Sequence, residues 1–149
     1  ELLADDAVAG VITVDSPHEA SSEFVKKLNT KNIDSIFLLS PTTEDDRIKL
    51  IIDQASGFIY YVSLKGVTGS SNIDINQVSE RVKNIKQFTS LPIGVGFGVR
   101  DAKTAKDVAM VADAVVVGSR IVQEVETSSK EDLLRNINQL MTEIKQAIT

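Results

Sequence analysis

The run Pro92-Ile93-Gly94-Val95-Gly96-Phe97-Gly98-Val99 is followed by Asp101, an amphipathic stretch to Ala112, and then Ala114-Val115-Val116-Val117-Gly118-Ser119. Each apolar, β-branched run is short enough for a strand and ends in a glycine turn. Between them Ala102, Ala105, Val108, Ala109 and Ala112 recur at helical spacing, and Asp101 stands where an N-cap belongs. A strand, a helix and a second strand in this order make a βαβ unit, whose strands are parallel and whose crossover is right-handed.

The same alternation continues outward. Further strand-like runs are Gly10-Val11-Ile12-Thr13-Val14, Ile33 to Leu39 and Phe58-Ile59-Tyr60-Tyr61-Val62-Ser63. Helical faces are formed by Ala20, Phe24, Val25 and Leu28, by Ile48, Ile51, Ile52 and Ala55, and by Val78, Val82 and Ile85. A last amphipathic helix carries Leu133, Leu134, Ile137, Leu140, Met141, Ile144 and Ile148 and is expected in the outer layer. Thr43 before Glu44-Asp45-Asp46 is read as a capping hydroxyl with an acidic first turn, and Gly57 as a helix stop. The near-continuous apolar runs imply strands buried on both faces. Residues of about 64–76 and 123–131 read as loose segments rich in Gly, Ser, Thr and Asn. No linker interrupts residues 1–149, which are expected to form a single domain. Two architectures suit five βα units: a compact open sheet of the flavodoxin-like kind, or part of a (β/α)8 barrel.

Composition narrows the function. The 149 residues are 42% hydrophobic and 25% charged, in the globular range, which excludes a disordered tail or a fibrous rod. A net charge of −5 argues against a nucleic-acid surface. The absence of cysteine removes disulfides, zinc thiolates and a thiol nucleophile, and one histidine, His18, leaves little for a metal cluster. No run approaches the roughly 18 apolar residues of a membrane span. No stretch reads as a signal peptide. These features lead us to expect a soluble, cytoplasmic protein (in the plastid stroma if from a plant or alga).

In both architectures ligands bind at the carboxyl ends of the strands. The residues there are Asp15-Ser16-Pro17, Ser40-Pro41, Ser63 to Ser71, Gly96 to Val99 and Gly118-Ser119-Arg120. Glycine lets backbone N–H groups approach a ligand closely. A helix starting after Gly118-Ser119 would direct free N–H groups and its positive dipole end at an anion. Barrels commonly hold phosphate in the turns after the seventh and eighth strands, beside a short extra helix. Gly96–Gly98 and Gly118–Ser119, about twenty residues apart, match that arrangement. Each residue also has a plainer role: the glycines as tight turns, Asp15 as a strand-end cap, Tyr60 as core, Thr68 as a turn hydroxyl. His18, Lys65 and Arg100 read as surface groups, and Glu44-Asp45-Asp46 as a helix-start charge set.

At these residues the sequence resembles the α subunit of tryptophan synthase. The resemblance rests on Ser40-Pro41-Thr42-Thr43-Glu44-Asp45-Asp46-Arg47-Ile48, Gly57 to Ser63, Gly66-Val67-Thr68-Gly69, Pro92 to Val99 and Ala114 to Ser119, in order along the chain. It implies a (β/α)8 barrel, here its strands four to eight with their helices. It implies a lyase that cleaves indole-3-glycerol phosphate to indole and glyceraldehyde 3-phosphate in tryptophan biosynthesis. The partner would be the β subunit, in an α2β2 assembly. Pyridoxal phosphate would belong to that subunit, with no cofactor or metal on this chain. The phosphate site would comprise Gly69, Gly96, Gly98, Gly118 and Ser119, with backbone hydrogen bonds from Gly69, Gly98, Gly118 and Ser119. Gly96 and Phe97 would shape the pocket, and Tyr60, Thr68 and Phe97 would contact the substrate. Thr68 would sit on the loop that closes over the site. Asp15 matches an aspartate near the β-subunit contact, although Ser16 follows it where the family has a branched apolar residue, and Lys65 stands at a variable position.

The family's two proton-transferring carboxylates lie on its second strand and the loop after it, whereas this sequence opens inside the third helix. No catalytic residue is therefore assigned within these positions, and the segment alone is expected to be inactive. It is expected to be the C-terminal portion of an α subunit. Five strands taken alone would leave two open edges and an uncovered inner face. The alternative is a non-catalytic phosphate-binding or assembly module. A related phosphate-binding barrel of the indole-glycerol-phosphate or histidine pathway fits Gly66-Val67-Thr68-Gly69 less well.

Overall fold

The computed structural model describes residues 8–14, 18–63, 74–96 and 98–149. In chain order these form β1 (Gly10–Thr13), α1 (His18–Asn29), β2 (Asp34–Leu39), α2 (Asp45–Ile52), β3 (Ile59–Val62), α3 (Ile75–Ile85), β4 (Ile93–Gly96), α4 (Ala102–Ala109), β5 (Ala114–Val116), α5 (Ser119–Thr127) and α6 (Leu133–Ile148). All four strand pairings are parallel, and the sheet order is β1-β2-β3-β4-β5.

That order separates the two architectures. A flavodoxin-like sheet reverses direction at a switch point, which sends helices to both faces. Here every crossover advances to the next strand in the same direction. Right-handed crossovers of that kind place all the helices on one side of the sheet. Such a singly wound arc is an arc of a (β/α)8 barrel.

The register assigns each side chain to a face. Phe37 pairs with Ile59, Ile59 with Ile93, Tyr61 with Val95, and Val95 with Val115. Because successive side chains alternate, these residues share the helix-covered face with Leu39. There Leu39, Ile59, Tyr61, Ile93 and Val95 form the core with Ile48 of α2, Val78, Val82 and Ile85 of α3, Ala105 and Val108 of α4, and Leu140 and Ile144 of α6. Each fully buried aliphatic side chain there contributes about 1.5–3 kcal/mol. The last amphipathic helix does lie in the outer layer, packed on α4.

The opposite face differs from the expectation of strands buried on both sides. It carries Ile12, Ile36, Leu38, Tyr60, Val62, Gly94, Gly96 and Val116, of which Ile36, Gly94 and Gly96 are buried. Ile12 is 48% exposed, and Leu38, Tyr60, Val62 and Val116 are only half-buried. Five strands do not close on themselves, so this concave face lacks the cover that a complete barrel supplies.

Local signals were read correctly where they were self-contained. Asp101 accepts the Thr104 N–H at 2.8 Å while Thr104 Oγ1 accepts the Asp101 N–H at 3.2 Å, a reciprocal capping box. Thr43 behaves otherwise: the cap of α2 is Glu44, without a side-chain bond, and Thr43 Oγ1 accepts the Ser40 N–H at 3.0 Å. A loop amide competed successfully for that hydroxyl. Gly57 does not stop α2, which ends at Ile52 with Asp53 as C-cap; its φ of +73° instead turns the chain into β3. Residues 123–127, expected to be loose, belong to α5, and Asp74 caps α3, so residues 75 and 76 are helical.

At the amino ends of β4 and β5, Asp113 Oδ2 accepts the Ile93 N–H at 2.8 Å and Asp113 Oδ1 pairs with Lys86 Nζ at 2.8 Å. These contacts, led by the Lys86 bond, hold the Asp113 carboxyl below its ordinary pKa. They also lock the register that sets the opposite, carboxyl ends of the two strands.

Candidate functional site

Because the strands are parallel, Ser63, Gly96 and Val116 all stand at one end of the sheet. Gly96 pairs with Val116 in register, so Gly98 and Gly118 each lie two residues beyond that pair on neighbouring strands. The two glycine turns therefore emerge side by side and not at opposite poles.

Each turn has a distinct local cause. Gly98 has φ +82°, a conformation that an L side chain adopts only under strain. The chain re-enters the core immediately after it: Val99 is buried, and the Arg100 N–H donates to Thr104 Oγ1 at 3.0 Å. Gly118 is the N-cap of α5, with no side-chain cap, and a Cβ placed on it would meet no atom within 4 Å. The Ile121 and Val122 N–H groups both donate to Gly118 O, at 2.9 and 3.1 Å. The Ser119 and Arg120 N–H groups thus precede the first intrahelical bond and point out of the helix start. Space, helix-start amides without an intrahelical partner and the positive dipole end together make a site suited to an anion. Arg120, the nearest cation in sequence, is turned to Glu124 at 2.7 Å.

Ser63 ties the end of β3 to that of β4. Its N–H and its hydroxyl both donate to Gly96 O, at 3.1 and 3.0 Å. Sequence reading places Ser63 at the carboxyl end of its strand; its burial is what only the fold supplies. Tyr60 stands on the concave face with its ring over Gly96, where a Cβ would come within 2.6 Å of Tyr60 Cε2. Gly96 is thus required for close approach to the ring. Leu38, paired in register with Tyr60, adds an apolar neighbour on the same face. Period-two alternation through Ile36 and Leu38 could have identified it. The adjacent Tyr61 points the other way, into the core, where burial raises its pKa. It is a packing residue.

Of the residues singled out from sequence, Tyr60, Gly96, Gly98, Gly118 and Ser119 gather at this end. Gly69, Thr68 and Phe97, with Asp15 and Lys65, lie outside the described residues. Among the described residues, no group of three or more His, Asp or Glu side chains is placed to hold a metal ion. No described helix is long and apolar enough to cross a membrane.

Comparison with known proteins agrees with the topology. A family model described as tryptophan synthase alpha chain matches residues 1–149. The chain is 50% identical over 141 residues to the tryptophan synthase alpha chain of Nitrosomonas europaea, covering 95% of this chain and 51% of that one. It is 48% identical over 144 residues to the alpha chain of Burkholderia thailandensis, covering 97% and 53%. Among solved structures, the tryptophan synthase alpha chain of Legionella pneumophila superposes with a TM-score of 0.80 at 31% identity, covering 95% of this chain and 52% of that one. The aminoacrylate-bound tryptophan synthase of M. tuberculosis superposes with a TM-score of 0.77 at 27% identity, covering 94% and 50%. The chain thus spans about half the length of the relatives it matches. These matches do not favour a stand-alone binding module. With its singly wound sheet and a family match over residues 1–149, the chain belongs to the tryptophan synthase alpha chain family.

Proposed function

We propose that this chain supplies the phosphate- and substrate-binding half of a lyase that cleaves indole-3-glycerol phosphate to indole and glyceraldehyde 3-phosphate. The observation that carries the reading is the pair of glycine turns leaving adjacent parallel strands, within a family match over the whole chain. The phosphate is held by main-chain amides at Gly98, Gly118 and Ser119, joined by Gly69. Backbone dipoles provide the positive potential that a chain of net charge −5 otherwise lacks. Tyr60 and Leu38 offer an apolar wall for the indole ring, and Gly96 lets the Tyr60 ring approach the strand closely. Phe97 and Thr68 complete the substrate contacts.

The reaction delivers a proton to indole C3 and removes one from the glycerol hydroxyl or ring nitrogen. Positioned carboxyl groups perform such transfers. None of the residues assigned to this site is a carboxylate, so the acid and base come from the part of the barrel that precedes this segment in the family. The indole passes to a β-subunit partner, in the cytoplasm. That partner, not this chain, carries pyridoxal phosphate.

The test is a titration with glycerol 3-phosphate followed by amide NMR. Saturable shifts at Gly98, Gly118 and Ser119 are expected. Unchanged amides at saturating ligand would overturn the phosphate assignment. Indole release from indole-3-glycerol phosphate, measured on the full natural chain with and without the β subunit, tests the reaction itself.

A further inference from the structure

Every helix except α5 buries at least one apolar side chain: Val25 and Leu28 in α1, Ile48 in α2, Val78 in α3, Val108 in α4 and Ile144 in α6. α5 buries none. Yet α5 is the helix whose first amides face the anion site. Beside the partly buried Ile121, a hydrogen-bonded chain of side chains runs along α5 and crosses to α6. Arg120 Nη1 pairs with Glu124 Oε2 at 2.7 Å. The Ser128 hydroxyl donates to Glu124 Oε1 at 2.9 Å. Asn136 Nδ2, on α6, donates to Ser128 Oγ at 2.9 Å.

The directions of these bonds are mutually consistent. Ser128 receives one proton and gives one, and both carboxylate oxygens of Glu124 are used. The Arg120 and Glu124 side chains are only 28% and 15% exposed, which favours a defined geometry over a solvated pair. Arg120, followed by Ser128, holds the Glu124 carboxyl below its ordinary pKa. The chain begins one residue after Ser119 and ends on α6, which is anchored in the core through Leu140 and Ile144.

We propose that Asn136, Ser128, Glu124 and Arg120 are positioning residues that fix the start of α5 against α6 and thereby set the affinity of the anion site at Ser119. The inference rests on the phosphate reading above. Amides bind an anion strongly only when held where the anion needs them. A helix without a buried side chain would otherwise rock about its partly buried Ile121.

The test uses the full natural chain and inorganic phosphate, with Ser119 and Gly98 amide shifts as the binding readout. Ser128→Ala removes the central hydroxyl. Asn136→Asp keeps the shape and replaces the donor with an acceptor. Each is expected to weaken phosphate binding about fivefold, the equivalent of one net hydrogen bond. α5 amides should exchange with solvent faster, while those of β3 and β4 stay unchanged. Asn136 also bonds Glu124 directly, so combining the two substitutions should weaken binding by more than either alone but by less than the product of the two, since both act through Glu124. Ser128→Thr, which keeps the hydroxyl, should restore wild-type affinity. Wild-type phosphate affinity in both Ser128→Ala and Asn136→Asp overturns the positioning role. Absence of binding to the unsubstituted chain overturns the phosphate reading instead.

Discussion

Replacing Gly96 by alanine isolates the contact between the carboxyl end of β4 and Tyr60. An ideal Cβ there stands 2.6 Å from Tyr60 Cε2 and 2.9 Å from Cζ, whereas ordinary contact begins at 3.4 Å. The ring carbon must therefore retreat by about 0.8 Å, and the Tyr60 hydroxyl, nearer still, by more. A tyrosine ring has only two torsions with which to do so, and it is packed on a strand, so the movement costs about 1–3 kcal/mol as overpacking. Equilibrium denaturation of the full chain, read by tyrosine fluorescence and by circular dichroism, measures the cost as a lower midpoint at unchanged slope. The control is the same substitution in a Tyr60→Leu background. There the added methyl meets no ring, and the cost should fall by more than about 1 kcal/mol in a double-mutant cycle. An equal cost in both backgrounds would refute the view that Tyr60 is what demands glycine at position 96.

Gly98→Ala should destabilise by about 1–2 kcal/mol because φ is positive there, whereas Gly118→Ala, with nothing near its Cβ, should change the denaturation midpoint little. Asp101→Asn should remove a pH-dependent part of stability. The Thr104 N–H, followed by the Thr104 hydroxyl, depresses the Asp101 pKa. That contribution is therefore present above the ordinary carboxylate range and lost as pH falls through it, and the variant's midpoint should vary less with pH over this window.

The parts legible in the sequence were those whose causes lie within a few residues. Helix and strand identity followed from apolar periodicity. The Asp101 cap followed from a capping residue type placed just before the helical stretch that begins at Ala102. The glycine corners at Gly98 and Gly118 followed from residue type, because glycine is where a backbone must turn left-handed or stay open. Thr43 shows where such reading stops. Its hydroxyl had two amides within reach, and the choice of Ser40 was made by the loop's path.

Strand order could not be read from any local pattern. The same five runs and helices suit a sheet that reverses and one that does not. What decides is which strand each crossover lands beside, a contact between residues about twenty or more apart in the chain. The facing of Tyr60 and Tyr61 depends on that pairing too, since a shift of one residue in register exchanges the two. The docking of α5 through Glu124, Ser128 and Asn136 likewise exists only once two helices meet. Residue chemistry alone thus specified the elements and the glycines that could face an anion. Only the packed chain determined that these glycines stand side by side, because long-range pairing, unlike periodicity, leaves no repeating trace along a sequence.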